Sequence, residues 1–142
     1  MYVCSALYLF VLSYLLFFSH YRSAVSGVVD YNIIPFRSIV RDISSYNGLE
    51  LRMLTDNFFG NIFAFLPLGF FSSLLFKRLR SIGMILLLSM GVSVTVELLQ
   101  LTFKLGSLDI DDVILNTLGG TIGYITFKLL QKGRGYIVSS AK

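Results

Sequence analysis

The stretch Ile82-Gly83-Met84-Ile85-Leu86-Leu87-Leu88-Ser89-Met90-Gly91-Val92-Ser93-Val94-Thr95-Val96-Glu97-Leu98-Leu99-Gln100-Leu101-Thr102-Phe103 decides the fold. A helix needs about 20 mostly apolar residues to cross the hydrocarbon core of a bilayer, and this run supplies them with a single charge, Glu97. A carboxylate at bilayer depth costs about 2.5–3.5 kcal/mol on insertion scales, so one that is kept is expected to have a partner or a task.

Three more spans flank this one. After it, Asp109-Ile110-Asp111-Asp112 leads into an apolar run over Val113–Gln131. Before it lies Asn57–Phe76, interrupted by Pro67 and Gly69, and before that the uncharged run Tyr2–Phe18. The pattern predicts an all-α membrane protein: a single domain over 1–142, a bundle of about four transmembrane helices, and an interfacial segment between the first and second. Composition agrees. Hydrophobic residues make up 55% and charged ones 14% of the 142 residues, and the mean hydropathy is +0.75. A soluble domain of this length carries more charge. The net charge of +4 comes from flanking Lys and Arg, not from a stripe interleaved with aromatics, so a nucleic-acid partner is not expected. Cys4 is the one cysteine, so no internal disulfide forms, and His20 is the one histidine, which makes a zinc site unexpected.

The first span reads as a retained helix. Ser23-Ala24-Val25-Ser26-Gly27 resembles a cleavage zone, but no Lys or Arg precedes the apolar run, which is long for a signal peptide. Lys77-Arg78-Leu79-Arg80 is the densest short basic loop, and the positive-inside rule puts it in the cytoplasm with both termini. Segment 20–56 and loop 104–112 then face outward, although Arg22, Arg37, Arg41, Arg52 and Lys104 fall on that side too. Within the outer segment, Asp30–Arg37 reads as extended, because Pro35 biases Ile34 away from helix. Ser38–Ile43 can start a short helix, Ser44–Gly48 reads as a turn, and Leu49–Leu54 as an amphipathic lead-in at the interface.

Spacing brings the polar residues to one depth. Glu97 lies about 9 Å below the outer end of the third span, and Asn116 about 6 Å below that of the fourth. Asn57 and Asn61 share a face, as do Glu97 and Gln100. Asn57, Asn61, Glu97, Gln100, Asp112 and Asn116 are therefore expected to meet in the outer third of the bundle. Plainer readings compete for each. The Asp109–Asp112 acids cap the fourth span, which accounts for one or two of the three. Glu97 and Gln100 act as polar glue, with Glu97 protonated or tightly hydrogen-bonded. Gly119 and Gly123 form a Gly-x-x-x-Gly packing pair, and Pro67-Leu68-Gly69 is a tolerated kink. Arg37 is a solvated loop charge unless it folds over the acids or reaches a lipid phosphate.

An ordered set of words carries a resemblance. Asn32-Ile33-Ile34-Pro35-Phe36 comes first, then Asn57-x3-Asn61-x5-Pro67-Leu68-Gly69-Phe70, then Glu97-x2-Gln100. Last is Asp109-Ile110-Asp111-Asp112-x3-Asn116-Thr117-Leu118-Gly119-Gly120-x2-Gly123-Tyr124. Over about residues 28–130 the chain resembles the VanZ-like family of bacterial integral membrane proteins. The resemblance implies a cell-envelope protein of the bacterial membrane that lowers susceptibility to teicoplanin, with relatives acting on lipoglycopeptides. The family pattern carries an Arg just before the acidic motif, where this chain has Lys104-Leu105-Gly106-Ser107-Leu108. Lys104 or Arg37 then substitutes for it, or the ligand differs.

Three function classes follow. In the first, an outward polar pocket of Asn32, Arg37, Asn57, Asn61, Glu97, Gln100, Asp109, Asp111, Asp112 and Asn116 binds a glycopeptide antibiotic or a lipid-linked cell-wall precursor. In the second, an envelope enzyme uses Glu97 as general acid or base, with Asp109, Asp111 and Asp112 as weak candidates for a hard cation. The acids lack a calcium-loop pattern and no Ser/His or Cys/His pair exists, so neither metal nor cofactor is expected, and an enzyme less than a binding protein. In the third, a small transporter or channel, the absence of inverted repeats calls for a homo-oligomer. Membrane lipids are partners in every case.

Overall fold

A computed structural model describes residues 2–18, 31–44 and 50–140, and the side chains among them other than 42–57 and 134–140. The expected Ser44–Gly48 turn falls mostly outside the described residues. So do His20, Arg22, the Ser23–Gly27 zone and the side chains of Arg52 and Asn57.

The chain is helical. α1 covers Tyr2–Phe17, α2 Arg37–Ser44, α3 Glu50–Leu75, α4 Ile82–Thr102 and α5 Ile110–Ser140, with a 3-10 turn at Lys77–Leu79. Windows in α3 (Phe58–Leu75), α4 (Ile82–Thr102) and α5 (Ile110–Gly133) have the length and apolarity to cross a membrane. α1 is a shorter apolar helix of 16 residues, about 24 Å long. The interfacial lead-in is continuous with α3, which runs through Pro67 to Leu75.

Local chemistry sets the helix ends. Ser81 caps α4, its side chain accepting from Met84 N–H at 3.3 Å. At the other end Lys104 adopts a left-handed conformation (φ 55). Lys104 N–H donates to Leu101 C=O at 3.2 Å and Leu105 N–H to Gln100 C=O at 2.8 Å, a Schellman closure.

Glycine sets how the spans pack. Bilayer helices gain little hydrophobic energy from meeting, so close approach through small residues holds them. A Cβ on Gly119 would strike the Ile62 carbonyl, one on Gly123 the Leu66 carbonyl, and one on Gly69 the Gly120 carbonyl. Hence α3 and α5 lie backbone to backbone, and they run parallel: Asn61 bonds Asp112 near one end and Phe70 meets Phe127 edge-on at 6.3 Å toward the other. α4 runs back in the opposite direction and packs chiefly against α5. α1 closes the bundle through a core of Leu12, Leu16, Phe65, Leu68 and Val96. Tyr8 Oη donates to Ala64 C=O at 2.8 Å, and Gln100 Nε2 donates to Leu16 C=O at 2.8 Å.

The two ends differ chemically. One carries the basic turn, where Arg80 Nε donates to Ser73 C=O at 3.0 Å and its guanidinium stands 5.4 Å over the Phe127 ring. The other carries the acids and the segment between α1 and α3. There β1 (Tyr31–Asn32) pairs in parallel with β2 (Leu108–Asp109), Tyr31 opposite Leu108 and Asn32 opposite Asp109.

Candidate functional site: an acid-pinned cap

At the acidic end, the loop Tyr31–Phe36 and α2 are bolted onto the start of α5. Asp109 is the first bolt. It caps its own helix, Oδ1 accepting from Asp111 N–H at 2.9 Å. The same carboxylate accepts Asn32 Nδ2 at 3.0 Å and the Ser38 hydroxyl. Asn32 also donates to Ser38 Oγ at 3.0 Å and turns the chain, its Oδ1 accepting from Ile34 N–H at 3.2 Å.

Asp111 is the second bolt and caps a different helix. Its Oδ1 accepts from Phe36 N–H at 2.5 Å, and its Oδ2 from Ser38 N–H at 2.8 Å and Ile39 N–H at 3.3 Å. These are the orphan donors at the start of α2, whose own first turn has no acidic residue. A carboxylate on α5 therefore does the work of an N-cap for α2, and it is 1% exposed.

Glu97 lies beneath, 3% exposed, with Oε2 accepting from Asp109 N–H at 2.9 Å. It thus supports the strand residue that carries the first bolt. Asp112 faces α3, its Oδ1 accepting from Asn61 Nδ2 at 2.6 Å.

The residues singled out in the sequence thus fall into separate arrangements. Asn32, Glu97, Asp109 and Asp111 share one network. Asn61 and Asp112 form a tie between α3 and α5. Gln100 holds the end of α1. Asn116 Nδ2 donates to Ser93 Oγ at 2.8 Å, one helical turn below Glu97. Arg37 is exposed, and the Asn57 side chain lies outside the described residues. Ser38 and Ser93 were not singled out. A signal for Ser93 was available, because Ser89, Ser93, Glu97 and Gln100 recur on one face of α4 and all four are buried. The amide oxygens of Gln100 and Asn116 are buried with no hydrogen-bond partner among the described residues. Flipping the Asn116 amide would exchange an orphan acceptor for an orphan donor, and flipping that of Gln100 would also set its oxygen against the Leu16 carbonyl.

Among the described residues no three acidic, His or Cys side chains are grouped to hold a metal ion. The aspartate lone pairs point at N–H and O–H donors instead. The open groove along α4, lined by Leu87, Leu88, Gly91, Val92, Thr95 and Val96, is apolar.

Above the bolts the surface changes character. Phe36 has φ 66, costly for a bulky residue at about 1–3 kcal/mol, and the Asp111 bond to its N–H holds it there. The strained turn displays Ile33, Ile34 and Phe36, which are 68%, 55% and 58% exposed.

This architecture defines a small helical membrane protein whose acidic end is closed by a pinned cap. A family model described as VanZ/LLP1 matches residues 5–131. The chain is 31% identical over 137 residues to "Protein VanZ" of Enterococcus faecium, covering 89% of this chain and 73% of that protein. The chain belongs to the VanZ/LLP1 family. No solved structure matches it.

Proposed function

We propose that this protein resides in the bacterial cytoplasmic membrane with both termini inside. There it lowers susceptibility to teicoplanin and lipoglycopeptides by engaging the drug, or the lipid-linked precursor the drug targets, at its capped end. The supporting observation is the strained, acid-pinned Phe36 turn, which displays apolar side chains beside Arg37 at the edge of the bundle. A lipid-tailed ligand lying in the outer leaflet meets that edge. The enzyme reading has less behind it, because the aspartates and Glu97 Oε2 already accept the chain's own donors.

Expression in a susceptible Gram-positive host should raise tolerance to teicoplanin more than to vancomycin. Phe36→Asn separates display from folding. Asn tolerates the left-handed region, so the variant should reach the membrane at the parent level, yet lose tolerance with the aromatic ring gone. Unchanged susceptibility to both drugs at verified expression refutes the proposal.

A further inference from the structure

The outer face of the cap carries a second pattern. α2 spans Arg37–Ser44, and Phe36 N-terminal to it accepts Val40 N–H at 2.8 Å. Phe36 and Val40 are one turn apart and both exposed, as are Arg37 and Arg41. Residues four apart stack on one helix face, so Arg37 and Arg41 form a short basic stripe on α2, with exposed Val40 on the same helix and exposed Ile33, Ile34 and Phe36 in the turn before it.

Helix energetics accounts for Arg41, in the last turn of α2, but not for Arg37. A cation in the first turn of a helix opposes the macrodipole, and Arg37 occupies the first residue of α2. The acid that completes this N-terminus, Asp111, is buried behind the turn with its oxygens on Phe36, Ser38 and Ile39 N–H groups. The Arg37 guanidinium is exposed and has no ion pair among the described residues. Depth fits a lipid headgroup. α4 has 21 residues, about 31 Å at 1.5 Å each, which matches the hydrocarbon thickness. The bolts hold α2 at the end of that span, where phosphates lie and where apolar side chains reach acyl chains.

We infer that the Ile33–Arg41 face is an interfacial lipid site that binds the phosphate of an anionic phospholipid, with Arg37 and Arg41 on the phosphate and Ile33, Ile34, Phe36 and Val40 among its chains. The site acts as a headgroup clamp at the rim of the bundle. It goes beyond drug tolerance and stands whether or not tolerance changes.

The chain has no Trp, so Val40→Trp in the full-length protein gives a single fluorescent reporter on this face. The reporter protein is placed in vesicles of phosphatidylcholine and phosphatidylglycerol in equal parts. One batch is brominated only on the phosphatidylglycerol chains, the other only on the phosphatidylcholine chains. Relative quenching should show phosphatidylglycerol enriched about fivefold beside the reporter, the scale for one basic side chain at an anionic surface. Arg37→Gln and Arg41→Gln, each checked for unchanged thermal unfolding, should bring the ratio toward parity, whereas Arg37→Lys should keep part of it. Parity in the reporter protein itself, or full enrichment in both Gln variants, overturns the assignment. Loss of enrichment on replacing chloride by inorganic phosphate at equal ionic strength would assign the site to free phosphate and overturn the lipid.

Discussion

Asp109, Asp111 and Asp112 are near neighbours in sequence with three different duties. The first caps α5 and gathers Asn32 and Ser38, the second caps α2 from across the fold, and the third ties α5 to Asn61 of α3. Capping alone would leave Asp109→Asn mild, since a neutral Asn still accepts a capping bond. The structure keeps that expectation, because an Asn at 109 can leave its oxygen on Asn32 Nδ2 and Asp111 N–H and turn its NH2 to the Ser38 hydroxyl, which can accept. Asp111→Asn differs, because both carboxylate oxygens face backbone N–H donors that cannot reverse. It is expected to cost about 1–3 kcal/mol, the scale for an unsatisfied buried group, read as a lowered midpoint of thermal unfolding in detergent and faster proteolysis within 31–44. Glu97 gives a matched pair. Glu97→Gln retains an oxygen for Asp109 N–H and should unfold close to the parent, whereas Glu97→Leu strands that donor and should lose a similar amount. Equal stability of Leu and Gln variants would remove the supporting role of Glu97.

Among the helices, backbone contact matters more than side-chain volume. α3 and α5 meet where Gly69, Gly119 and Gly123 leave no room for a Cβ, whereas Gly91 of α4 has open space around it. The same substitution should therefore act oppositely at two sites. Gly123→Ala should destabilise by about 1–3 kcal/mol through overpacking, while Gly91→Ala should be neutral or gain up to about 1 kcal/mol from helix propensity. Denaturation of both variants in the same detergent checks this, and equal effects would mean that the α3–α5 contact is not close. The spacing Gly119-x3-Gly123 was legible in the sequence because it is local, and so were the long apolar runs. The cap was not. Ser38 reaches Asp109 across 71 positions, and the strand pairing of Tyr31–Asn32 with Leu108–Asp109 is too short for any period to show. Sequence spacing put six polar residues at one depth. Helix rotation then decided which of them touch: Asn116 turns to Ser93 and Gln100 to the end of α1.

At the scale of the whole molecule, the bundle is a rod with an acidic, capped end and a basic end. Loop 104–109 belongs to the first, since Asp109 N–H is held by Glu97, and Lys77–Leu79 belongs to the second, beside Arg80 and Tyr124. The two loops are joined by α4 alone, so they must lie on opposite faces of the membrane if α4 crosses it. The orientation we propose, in keeping with the positive-inside rule, has Lys77–Arg80 in the cytoplasm and the cap outside. Leu108 is half-buried in the strand pair, so Ser107, which is exposed, is the better reporter. With Cys4→Ser as background, Ser107→Cys should react with an impermeant thiol reagent on intact cells, and Arg78→Cys only after lysis. The reverse pattern would turn the cap to the cytoplasm, away from an antibiotic arriving from outside, and would end the proposed role while leaving the lipid clamp open to its own test. Labelling of both cysteines on intact cells would mean that α4 does not cross, and would dismantle the membrane-spanning bundle itself.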